Sequence, residues 1–172
     1  DIMREGPDFA SCEGGAPVRT YYELPSAETP AGVVVFLHGM GMHARSSRYS
    51  PMIEEWTRRG FAVVAWDCPH HGRSSRIGEG GHPLPPLRVS EPELVADAVS
   101  LVGMVKRRHP HSPLLLVGES LGGGLAMRIA PMVHPAAVCT IGGLVPTRAT
   151  RARSSAVGAA LGGVRMVRTA VQ

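Results

Sequence analysis

Acidic residues stop at Glu119. From Leu121 to Gln172 there are six arginines and no aspartate or glutamate, whereas the first 120 residues hold 12 Lys and Arg against 14 Asp and Glu. The formal net charge of +4 is therefore a property of the last third. Aromatic residues make up only 5% and none is interleaved with those arginines. Without stacking residues or a recognition helix, nucleic-acid binding is not expected. Cysteine is sparse too. Cys12, Cys68 and Cys139 are odd in number and irregular in spacing, which fits neither a disulfide framework nor a zinc site and suggests a reducing compartment. No apolar run reaches the roughly 18 residues that a bilayer-spanning helix needs. The opening DIMREGPDFASCEGG has no basic start and no apolar middle, so no secretory leader is expected there. A cytoplasmic or peripherally membrane-associated setting is the expectation.

What remains is the composition of one globular domain. The 172 residues are 44% hydrophobic and 19% charged, enough for a single core. Val18–Leu24 alternates loosely before Pro25 and reads as an outer strand. Val33–His38, Phe61–Asp67, Pro113–Gly118 and Ala136–Ile141 are short continuous apolar runs, as expected of strands buried on both faces of a parallel sheet. Between them lie helical segments at MIEEWTRRG, Glu91–Arg108 and Leu121–Val133. The first has Ile53 and Trp56 on one face and Gly60 as its stop. The second has Pro92 in its first turn and an apolar face of Leu94, Ala98, Leu101, Val102 and Val105. Strands alternating with helices predict an α/β domain with a mainly parallel sheet.

GESLGGG, residues 118–124, carries the chemistry. G-x-S-x-G alone is poor evidence in a glycine-rich chain, so its context decides. A strand (LLLV) precedes it and a helix (LGGGLAMRIA) follows, the setting in which a tight turn exposes a serine as nucleophile. Gly118 and Gly122 supply the missing Cβ atoms that such a turn needs. The bland alternative is a serine that caps the helix. Two further loops bear on the choice. His38-Gly39-Met40-Gly41 follows one buried strand, where backbone N–H groups could face an oxyanion, and DCPHHGRS, from Asp67 to Ser74, follows another. All three loops should leave the carboxyl edge of the sheet, where open α/β sheets place their sites.

HGMGMH, DCPHHGRSS and GESLGGG, in this order and spacing, resemble an α/β-hydrolase, and most nearly the monoacylglycerol lipase and lysophospholipase branch, serine aminopeptidase S33-like. The resemblance covers residues 18 to about 146. It implies an α/β-hydrolase fold, Ser120 as nucleophile, and the backbone N–H groups of Met40 and Leu121 as oxyanion hole. It further implies that His38, Gly39, Asp67, His71 and Gly72 shape loops and do not react. No metal or organic cofactor is implied, and the substrate class is a small acyl ester. The family usually has Glu where Met42 stands and Gly where His70 stands, and two extra residues separate His43 from Arg48-Tyr49.

HGMGMHA also fits the outline of a dinucleotide fingerprint, since Asp67 ends the next strand 28 residues after Gly39. In that fold a helix opens at once on the pyrophosphate. Here RSSRYSP follows, and Pro51 would fall inside that helix, at a cost of about 3 kcal/mol. The hydrolase reading is preferred.

A serine needs a histidine base and a carboxylate to orient it, and this fold supplies them in the chain order Ser, acid, His. After Ser120 there is no acid, and the only histidine is His134. It lies at the far end of the helix leaving the turn, roughly 20 Å away at 1.5 Å per residue. His134 is therefore not the base, and no triad acid or base is assigned within these residues. His38, His70 and His71 share the carboxyl edge with Ser120. A rearranged pair with His70 is conceivable, but loop ordering is the simpler role, while His82, His109 and His111 read as solvated.

The expected organisation is residues 1–146 as the N-terminal part of a hydrolase core and 147–172 as a basic, acid-free tail. That tail places Val157, Leu161, Val164 and Val167 or Val171 at helical spacing, with Arg165 and Arg168 between them. In the resembled family a lid enters here, so membrane-surface contact is one expectation. An incompletely packed remnant is the other. The functional expectation is a serine ester hydrolase working through an acyl-enzyme on Ser120, with the acid and base supplied beyond Gln172. A non-catalytic truncated homologue that binds acyl chains or a partner is the alternative.

Overall fold

The computed structural model describes residues 3–12, 17–26, 29–74, 90–142 and 165–167. The continuous apolar runs have no polar face to give to water, so they occupy the middle of one sheet. They form β5 (Gly32–Leu37), β6 (Phe61–Trp66), β7 (Leu114–Glu119) and β8 (Ala137–Ile141). These run parallel in the order β6-β5-β7-β8. Val35 sits beside Val64 on one side and Leu116 on the other.

The edges are antiparallel. The expected outer strand is β4 (Thr20–Glu23) against β6, but β1 (Arg4–Glu5) lies beyond it. At the opposite edge β9 (Arg165–Val167) pairs with β8. These three tail residues are therefore strand, and the helical spacing expected through Val167 does not hold there. The ladder to β8 overrides a weak helical preference in a Gly- and Ala-rich stretch. The rest of the tail, from 147, lies outside the described residues. A separate ladder joins β2 (Phe9–Ala10) to β3 (Pro17–Val18).

The helices are α1 (Ser50–Arg58), α2 (Glu91–Arg108) and α3 (Leu121–Val133). Pro51 stands in the first turn of α1, where its missing N–H costs nothing. Since α1 starts nine residues after Gly41, no helix opens on the His38–Gly41 loop as a dinucleotide cradle would need. Ser90 caps α2 by accepting the Glu93 N–H, and Lys106, Arg107 and Arg108 complement its C-terminal dipole. Leu94, Ala98, Leu101, Val102 and Val105 are all buried, as their periodicity requires.

Side-chain alternation along β5 divides the core between the two faces of the sheet. Val33, Val35 and Leu37 pack with α2 and α3, while Val34 and Phe36 pack with Tyr49 and with Ile53 of α1. The Phe36 ring meets Tyr49 edge-on at 4.7 Å and Trp56 at 5.9 Å. The result is an α/β-hydrolase type of sheet, and its central strands deliver His38, Asp67 and Ser120 to one edge.

Candidate active site

Ser120 joins β7 to α3 with φ 49° and ψ −110°, a strained backbone for a residue bearing a Cβ, worth on the order of 1–3 kcal/mol. Its N–H donates to the Ile141 carbonyl at 2.9 Å, which fastens the turn to β8. Its hydroxyl makes no capping bond to the helix, and the residue is exposed. The helix-cap alternative therefore lacks the hydrogen bond that defines it. Leu121 opens α3, so its N–H belongs to the first turn, where a helix has no internal acceptors and its dipole is positive.

Close approach of backbones explains the glycines here. A Cβ on Gly118 would overlap the Gly122 carbonyl, and one on Gly122 would overlap the carbonyl of Leu37. The loop after β5 and the start of α3 are thus in backbone contact. Met40 is exposed at this loop. A Cβ on Gly39 would strike the Glu119 carboxylate. Glu119 accepts from the Tyr49 hydroxyl at 2.6 Å and from Arg48 at 3.0 Å. The signal in the sequence was a carboxylate directly before the serine, but its partners lie about seventy residues earlier, beyond the reach of any local pattern.

Asp67 is fully engaged in loop structure. One oxygen accepts the Ala44 N–H at 2.7 Å, and the other accepts the Tyr21 hydroxyl at 3.0 Å and the Arg73 N–H at 2.9 Å. Burial, then the neighbouring Asp67 charge, pushes the Tyr21 phenol up, so it stays a donor. Gly72, at φ 50°, packs where a Cβ would collide with the same carboxylate.

The histidines sort by their partners. His38 Nδ1 lies 2.8 Å from the Gly39 carbonyl, and its Nε2 accepts the Cys68 N–H at 3.1 Å. A carbonyl can only accept, so the proton is on Nδ1. Burial pulls the His38 pKa down to about 4, against the opposing pull of the Gly39 carbonyl. It is a neutral, doubly engaged ring. His71 is buried, its Nδ1 3.0 Å from both the Pro69 carbonyl and Cys68 Sγ. His70 is buried at φ 64°, in the left-handed backbone region that glycine adopts most readily. His134 caps the C-terminal end of α3 at φ 43°, the helix end opposite Ser120. His82 lies outside the described residues. The structure brings His38, Gly39, Met40, Asp67, His71, Gly72, Gly118, Ser120, Leu121 and Gly122 to one edge of the sheet and leaves His134 away from it.

Comparison with known proteins gives this geometry relatives. The profile of the family described as serine aminopeptidase, S33, matches residues 28–159. Monoacylglycerol lipase of Mycolicibacterium smegmatis is 36% identical over 116 residues, covering 67% of this chain and 38% of that protein. Monoglyceride lipase of Rattus norvegicus is 31% identical over 63% of this chain and 33% of its own length. The chain thus spans less than two fifths of the length of these relatives. Among solved structures, a thermostable carboxyl esterase from Bacillus coagulans superposes with a TM-score of 0.66 at 24% identity, covering 83% of this chain and 44% of that one. A soluble variant of monoglyceride lipase from Saccharomyces cerevisiae, in complex with a substrate analog, gives 0.64 at 17% identity, over 84% and 45%. With three motifs on one sheet edge and a profile match over most of its length, the chain belongs to the serine aminopeptidase S33 family of α/β-hydrolases.

Proposed function

We propose that this chain carries the nucleophile and oxyanion hole of a serine hydrolase acting on carboxylic esters of the monoacylglycerol or lysophospholipid type. The observation that carries the reading is Ser120 itself, which is exposed and held at φ 49° with no capping bond. Ser120 Oγ attacks the ester carbonyl carbon, and the carbonyl electrons move onto oxygen. The N–H groups of Met40 and Leu121 stabilise that oxyanion, at about 3–4 kcal/mol per donor in comparable sites. Collapse of the intermediate expels the alkoxide, which takes the proton first removed from Oγ and leaves as the alcohol. Water then hydrolyses the acyl-enzyme to the acid and restores the Oγ proton. The proton removed from Oγ goes to a base that is none of His38, His71 or His134. The first two are engaged in loops, and the third is at the far end of α3.

The test is covalent labelling. A fluorophosphonate should attach to the purified 172-residue chain at Ser120, slowly, as read by peptide mass, and Ser120→Ala should abolish the adduct. Ester turnover by these residues alone should stay near background, for want of the acid and base. No adduct at Ser120 in a folded chain would support the non-catalytic homologue instead. Fast hydrolysis abolished by Ser120→Ala would overturn the missing base.

A further inference from the structure

Tyr49 takes no part in the steps above, yet it is 3% exposed and stands between the two arms of the site. Its ring is wedged edge-on against Phe36 of β5, which leaves the hydroxyl little freedom. That hydroxyl donates to Glu119 Oε2 at 2.6 Å and receives the Gly39 N–H at 3.4 Å, a long bond. Gly39 directly precedes Met40, and Glu119 directly precedes Ser120. The Glu119 carboxylate also fills the space where a Gly39 Cβ would stand. One buried hydroxyl thus ties the residue before the oxyanion donor to the residue before the nucleophile. Arg48 reaches the other carboxylate oxygen at 3.0 Å, but its side chain is 67% exposed, so that ion pair contributes little. Burial, and then the bond to Glu119, pushes the Tyr49 phenol up to about 12, so it remains a donor throughout the neutral range.

We infer that Tyr49 and Glu119 are a positioning pair that fixes the Met40 N–H relative to Ser120 Oγ. The inference rests on the serine-hydrolase reading for its catalytic consequence, but its structural half stands apart from it. Neither residue touches the reacting atoms. Both act through the backbone of the residue that does. Small misplacements in such an arrangement cost rate while leaving ground-state binding intact.

The experiment compares Tyr49→Phe, Glu119→Ala, the double variant and Glu119→Gln in the full chain. Fluorophosphonate labelling is resolved into a maximal rate and a half-saturating concentration, and amide exchange is followed across residues 39–42. Tyr49→Phe and Glu119→Ala should each lower the maximal rate about tenfold with half-saturation within about twofold. The double variant should be no slower than either single one. Glu119→Gln keeps an acceptor for the phenol and should recover most of the loss. Exchange across 39–42 should quicken in Tyr49→Phe, Glu119→Ala and the double variant, and not in Glu119→Gln. An unchanged maximal rate in a folded Tyr49→Phe chain overturns the pair, as do additive losses or a loss confined to half-saturation. If the unsubstituted chain takes no phosphonate at all, the nucleophile reading fails. Exchange then decides the pair: local quickening sustains it and unchanged exchange overturns it.

Discussion

His38 shows what a buried ionisable side chain costs. Its ring is fixed in the neutral form between the Gly39 carbonyl and the Cys68 N–H, and burial pulls its pKa down to about 4 from an ordinary 6.5. The unfolded chain therefore binds this proton more readily than the folded one. His38 supports stability fully above about pH 6.5, and that support is lost as the pH falls towards 4, by up to about 3 kcal/mol. Urea midpoints measured across this window should fall on acidification, and His38→Gln should flatten the slope. The slope persisting in the variant would place the acid sensitivity elsewhere. At this scale the sequence made His38, Asp67 and Ser120 legible, because each ends an apolar run on one sheet edge. Tyr49 and Glu119 were not, because a hydrogen bond across about seventy residues of chain leaves no local periodicity.

At the scale of elements, Gly122 and Gly124 in the first turn of α3 make opposite predictions. Gly122 faces the backbone of Leu37, and its carbonyl cannot swing aside as a side chain could. Gly122→Ala should destabilise by about 1–3 kcal/mol or more through overpacking, and it should slow phosphonate labelling because the elbow must shift. Gly124 has open space where a Cβ would stand. Gly124→Ala should instead stabilise by about 0.5–1 kcal/mol through helix propensity. Equal effects in chemical denaturation would refute backbone contact as the reason for glycine at position 122. The long elements were readable: α2 and α3 occupy the expected Glu91–Arg108 and Leu121–Val133, and the central strands lie within a residue or two of their apolar runs. The strands β1, β2, β3 and β9 are two or three residues long. Pieces so short carry no alternation, and only their partners define them.

At the scale of the whole molecule, one sheet separates two apolar clusters and shares β5 with both. Ile53 is buried on the α1 side and Ile129 on the α2–α3 side. Ile53→Ala and Ile129→Ala should each cost about 2–5 kcal/mol and should shift the same urea transition, because neither cluster can lose its sheet face alone. Two separate transitions would show that the faces unfold independently. By itself the sequence determined the α/β class, the parallel centre of the sheet and the position of the elbow. Those depend on hydrophobic runs, helix periods and a strand-turn-helix motif, all local in the chain. Only the tertiary structure decided the backbone strain at Ser120, the proton on His38 Nδ1, the saturation of Asp67 and the Tyr49 bridge from Gly39 to Glu119. Each of these depends on which groups meet across the carboxyl edge once β5, β6 and β7 lie side by side, and that proximity is a property of packing.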